Sequence, residues 1–164
     1  MRAFAIFFLT ALTGISAQAE DGPVFFYGFG YEDVSDKHSG SPGGLLEYGS
    51  ATFGTNHRFR YRMAAMASHD GDIWIGGGVS YQINLGESPW FTELSFVPGI
   101  FRRGNAGIGE EVVHLPQFRS QIAVGYEFGN GRSLALTFSH RSNGKLDGDG
   151  SSMETVLLRY GMAF

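Results

Sequence analysis

The sequence predicts an all-β fold, an eight-stranded antiparallel transmembrane β-barrel. Apolar and polar side chains alternate with period two over successive segments, the mark of strands with two unlike faces. These segments run to about ten residues, the length of a tilted strand that crosses a bilayer. Short turn signals alternate with longer polar stretches, as the two ends of such a barrel require.

Eight segments fit this pattern: 24–33, 45–53, 58–67, 73–83, 89–101, 117–128, 133–142 and 154–164. In the third, Phe59, Tyr61, Met63, Ala65 and Ala67 share one face, and Arg58, Arg60 and Arg62 begin the other. In the fifth, Trp90, Leu94, Phe96 and Ile100 oppose Glu93, Ser95 and Gly99. The sixth sets Phe118, Ser120, Ile122, Val124, Tyr126 and Phe128 against Gln117, Arg119, Gln121, Ala123, Gly125 and Glu127. The last sets Val156, Leu158, Tyr160, Met162 and Phe164 against Thr155, Leu157, Arg159 and Gly161. Asn130-Gly131 and Asp70-Gly71 are two-residue hairpin signals, and Gly54-Thr55-Asn56-His57 reads as a short turn. Longer polar stretches fall at 34–44, 102–116 and 143–153, each following an odd-numbered strand. With both termini in the periplasm, those long connections point outward and the tight ones inward. Gly76-Gly77-Gly78 is read as room for strand bending or close packing in the lumen.

A soluble barrel would hide its apolar face and hydrate its charges. A membrane barrel does the reverse, pairing Arg and Glu in the lumen. The aromatic residues favour the second, because Tyr27, Tyr31, Trp74, Tyr81, Trp90, Tyr126 and Tyr160 fall where an interfacial girdle belongs. The chain also ends on Phe164, with Tyr160 and Met162 on the same face, as outer-membrane barrels do. Residues 1–19 read as a signal peptide: Arg2, an apolar run through Ile15, then Ala17-Gln18-Ala19 before the cut. Residues 20–164 then form one domain in the outer membrane. Side chains fill an eight-stranded lumen, so no pore is expected.

Composition narrows the function. There is no cysteine, so no disulfide framework. The formal charge of −4, or −5 without Arg2, and the lack of a basic patch argue against nucleic acid as a partner. His38, His57, His69 and His114 lack ligand spacing, and no metal or other cofactor is expected. Gly104-Asn105-Ala106-Gly107-Ile108-Gly109 has the look of a nucleotide loop, but no helix follows it.

The chemistry concentrates in the last hairpin. Leu134, Leu136 and Phe138 face lipid, and His140 and Ser142 continue that row at the outer end. Across the loop, Glu154 opens the lipid-facing row of Val156, Leu158 and Tyr160. Positions i and i+2 on a strand lie about 7 Å apart on one face, and a neighbouring strand lies about 5 Å away. If 140 pairs near 154, an imidazole can meet a hydroxyl and a carboxylate there. That order suits Ser142 as nucleophile, His140 as base then acid, and Glu154 as the group that holds the ring. Rim residues with no chemistry would give the same three letters.

The run Ser139-His140-Arg141-Ser142-Asn143-Gly144, followed by Glu154 and Leu157-Leu158-Arg159-Tyr160, resembles the C-terminal signature of the lipid A 3-O-deacylase family. That pattern is His-x-Ser-Asn with Glu twelve residues after the Ser. The resemblance implies an outer-membrane serine esterase that removes the ester-linked 3-hydroxyacyl chain at position 3 of lipid A, through His140, Ser142 and Glu154. It departs in one respect, since family members usually carry a second Asn in the following loop and 144–153 has none. Asn143 and the N–H of Gly144 remain as oxyanion donors. Arg102, Arg103 and Lys145 are candidates for the lipid A phosphates, against a plain reading as solvated loop charge. The expected partners are lipopolysaccharide, membrane lipid and, in a homodimer, a second copy. The alternative is a non-catalytic structural or surface-binding barrel.

Overall fold

The computed structural model describes residues 21–34, 40–104, 113–146 and 152–164. Residues 1–19, read above as a signal peptide, and parts of three connections lie outside the described residues. Eight strands follow in order: β1 (Val24–Glu32), β2 (Ser41–Gly49), β3 (Phe59–Ser68), β4 (Ile73–Asn84), β5 (Trp90–Arg102), β6 (Val113–Phe128), β7 (Arg132–Ser142) and β8 (Ser152–Ala163). Each pairs antiparallel with its sequence neighbours, and β8 closes on β1. Closure leaves no sheet edge, so every strand satisfies its backbone without water.

Period two decides the facing throughout. Phe29, Tyr61, Met63, Ile75, Phe96, Ile122, Leu136 and Leu158 are exposed on the outside, where lipid replaces solvent. At the end that carries the tight turns, aromatic rings touch in series. Phe25 stacks on Phe164 at 5.0 Å, Phe59 meets Tyr81 at 4.8 Å, and Trp90 meets Tyr126 edge-on at 5.3 Å. Rings of this kind sit well at a membrane interface, apolar in body and polar at the tip.

The lumen is filled with charge. Arg159 binds Glu47 Oε2 at 3.0 Å and Glu93 Oε1 at 2.7 Å. Arg62 bridges the same two carboxylates, and Arg119 adds a contact to Glu47 at 3.6 Å. The Phe26 ring lies against both Arg62 and Arg159, with guanidinium carbons 4.2 and 4.3 Å from its centroid. Nearer the outer end, Arg141 faces Glu32 at 3.7 Å. Deleting one partner of a buried pair strands the other charge. Glu93→Ala is therefore expected to destabilise the barrel by about 3–5 kcal/mol, read as a shift in the urea midpoint for folding into lipid. An unchanged midpoint would show that this network does not hold the lumen together.

Three sequence expectations need correction. Trp74 is not in the girdle. It occupies the lumen face of β4 and is wholly buried. Gly76 and Gly99 make its room, since a Cβ at either would lie 2.6–2.7 Å from the indole ring. β2 starts at Ser41 rather than at 45 and ends at Gly49, and Phe53 pairs with Phe59 as a lone bridge below it. Ser41-Pro42-Gly43-Gly44 has a turn's composition, yet it completes the ladder to β1, and Gly43 leaves space for the Glu32 carboxylate. β6 begins at Val113, with a register shift opposite Gly99–Phe101 where Pro116 cannot donate to the ladder.

Candidate active site

β7 and β8 pair from Arg132–Met162 up to Ser142–Ser152, and His140 stands opposite Glu154. On β7 the odd-numbered side chains Ala135, Thr137, Ser139 and Arg141 are buried in the lumen. His140 continues the outward row of Leu134, Leu136 and Phe138, with its side chain 46% exposed and that of Glu154 22% exposed. The rungs below carry Phe138 opposite Val156 and Leu136 opposite Leu158. A polar patch thus sits on the outside wall, directly above a continuous apolar surface.

His140 Nδ1 lies 2.9 Å from Glu154 Oε1. The carboxylate can only accept, so in a neutral ring the proton sits on Nδ1 and Nε2 keeps its lone pair. A base needs that tautomer. Ser142, half-buried, lies two residues further along β7 on the same face. No hydrogen bond joins its hydroxyl to His140 here. The i, i+2 spacing explains this, since positions two apart on a strand are about 7 Å from each other.

Beyond Ser142 the chain turns sharply. Gly144 and Lys145 both have positive φ, 63° and 61°, and Leu146 N donates to Asn143 O at 3.2 Å. Positive φ at both central residues makes this a type I′ β-turn, with Gly144 at the first central position, where glycine meets no Cβ penalty. Asn143 is 2% exposed, and its Oδ1 accepts Lys145 N at 3.0 Å.

The profile of the lipid A 3-O-deacylase (PagL) family matches residues 27–163. The chain belongs to this family. It is an outer-membrane β-barrel enzyme of the ester-hydrolase class that the lipid A 3-O-deacylases represent. No curated protein matches it by sequence. Among solved structures, it resembles the crystal structure of the outer membrane enzyme PagL, with TM-score 0.55 and 16% identity over 86% of this chain and 99% of that one. It resembles Neisserial surface protein A with TM-score 0.62 and 12% identity, over 87% of this chain and 96% of that one. A de novo designed transmembrane β-barrel matches with TM-score 0.57 and 7% identity, covering 90% and 99% of the two chains. At these identities the structural likeness speaks for the barrel alone.

The other sequence candidates in this deacylase-family barrel fall as follows. Gly144 and Lys145 lie in the exposed turn after Ser142. Arg102 is exposed at the end of β5, in line with Phe96 and Ile100 on the outside, and Arg103 follows in the connection. Asn143 is buried beside that turn. Among the described residues, no group of three or more His, Asp or Glu could hold a metal ion. Sequence reasoning missed two hydroxyls. Ser120 of β6 stands opposite His140, on the side away from Glu154, and Ser152 of β8 stands opposite Ser142. Both follow once the register is known; hydropathy alternation alone does not supply it.

Proposed function

We propose that this barrel hydrolyses the ester-linked 3-hydroxyacyl chain at position 3 of lipid A through Ser142, His140 and Glu154. The observation that carries the proposal is the 2.9 Å contact between His140 and Glu154 on the lipid-facing side of a barrel of this family. An imidazole fixed by a carboxylate, within rotamer reach of a serine, has the parts needed for covalent acyl transfer. Its position above an apolar wall suits a substrate whose acyl chains stay in the membrane while its ester lies near the headgroups.

Ser142 Oγ attacks the acyl carbon as His140 Nε2 takes its proton. The imidazolium, stabilised by Glu154, then protonates the departing sugar alkoxide. Water, deprotonated by the same nitrogen, attacks the acyl-serine and releases the fatty acid. The N–H of Gly144, in the exposed turn after Ser142, is one donor for the oxyanion. Arg102, Arg103 and Lys145 supply positive charge at the outer end, where lipid A phosphates lie, and Arg102 is the best placed because it continues the lipid-facing row. Export through the leader at 1–19 belongs to the same proposal.

Mass spectrometry of lipid A tests it. Cells that express the wild type should lose one 3-hydroxyacyl chain, and cells that express a folded Ser142→Ala variant should not. Loss with both, or with neither, would overturn the assignment.

A further inference from the structure

Attack on the ester places negative charge on its carbonyl oxygen, and donors aimed at that oxygen account for much of the acceleration. The geometry around Ser142 restricts which groups can serve. Asn143 faces the barrel interior, and both of its oxygens accept amides of the turn, Lys145 N at 3.0 Å and Leu146 N at 3.2 Å. Those two amides are thereby committed as well. Ser152 is placed differently. It is exposed and directly opposite Ser142 in the β7–β8 ladder. Side chains so paired on one face have Cβ atoms about 4.5–5.5 Å apart. A hydroxyl at 152 therefore spans the space in which a carbonyl attacked by Ser142 must lie. Ser152 also precedes Glu154 by two residues on the same outward face. The ladder that sets the carboxylate against His140 thus also sets Ser152 beside the nucleophile.

We infer that Ser152 is a further catalytic residue, whose Oγ–H donates a hydrogen bond to the oxyanion formed on attack by Ser142. The inference rests on the esterase reading above. As the Ser142 Oγ–C bond forms, the Ser142 proton passes to His140 Nε2 and the carbonyl π pair moves onto oxygen. Ser152 donates to that oxygen and keeps its proton. When the C–O bond to the sugar breaks, the pair returns to the carbonyl and His140 protonates the leaving alkoxide. Ser152 repeats the same donation when water attacks the acyl-serine.

Kinetics on purified, detergent-solubilised barrel with lipid A as substrate provide the test. Removing one oxyanion donor lowers kcat about 10²–10³-fold in enclosed sites, and a partly solvated hydroxyl belongs at the lower end. Ser152→Ala should thus lower kcat about 10²-fold with KM little changed, while Ser152→Thr, which keeps the hydroxyl, restores most of the rate. Heat-modifiable migration on a gel verifies that each variant is a closed barrel. Wild-type kcat in Ser152→Ala overturns the proposal, as does an equal loss in the Ala and Thr variants, which marks a packing role. Loss in Ser120→Ala with none in Ser152→Ala assigns the donor to β6 and also overturns it. In all three cases the esterase reading stands provided that Ser142→Ala is inactive. Full activity in Ser142→Ala removes both.

Discussion

Alanine at Ser142 or at His140 is expected to slow deacylation about 10⁶-fold, and alanine at both positions to slow it no further. A serine hydroxyl without a base is a poor nucleophile, and a base with no hydroxyl beside it has only water to activate. In the proposed mechanism each residue works through the other, so losing either removes the covalent route whole. What remains is binding and oxyanion stabilisation, about 10³–10⁴ over the uncatalysed reaction. Single-turnover release of the hydroxyacyl chain, with enzyme in excess, measures all three variants on one scale. Separate losses that multiply in the double variant would mean that the two side chains do not act as a unit. In that case the pair on β7 is not a nucleophile and its base.

Glu154→Gln is expected to lower kcat about 10³–10⁴-fold while leaving KM within a small factor. Gln keeps the shape and can still accept from Nδ1, but it can also present its amide N–H₂ and reverse the tautomer. It no longer offsets the charge on the imidazolium. Loss of a buried carboxylate in this role lowers kcat about 10⁴-fold. Glu154 is 22% exposed and His140 46% exposed, so water screens part of that charge and the lower end of the range is expected. The unchanged KM follows from position: the carboxylate meets the ring, and in the proposed mechanism it is the ring that meets the substrate. Steady-state kinetics on the folded variant decide it. Near-wild-type kcat would make the His140–Glu154 contact a rim ornament.

Much of this arrangement can be read from the sequence, because alternation reports which way each side chain faces. Phe118 to Phe128, Leu134 to Ser142 and Val156 to Phe164 all take the faces that hydropathy assigns. Parity also places His140, Ser142 and Glu154 outside. Two kinds of fact escape it. Local composition misleads where neighbouring strands impose pairing, as at Ser41-Pro42-Gly43-Gly44, which would turn in isolation but is held extended between β1 and β3. Residue type misleads in the same way at Trp74, an aromatic drawn inward by the space above Gly76 and Gly99. Register is the second kind. Alternation is unchanged by sliding a strand two residues, so the pairing of Ser152 with Ser142, and of Ser120 with His140, emerges only from the ladder itself.

The proposed catalytic row, on the outer wall of a plugged cylinder, changes what concentration means for this enzyme. Its substrate arrives by lateral diffusion in two dimensions, and the freed fatty acid and shortened lipid both depart into the same sheet. Turnover then follows the mole fraction of substrate in the surrounding amphiphile, so inert detergent added at constant total substrate acts as a diluent. The products stay as neighbours of the barrel that made them, and hydrolysis progressively alters the solvent in which the enzyme is dissolved.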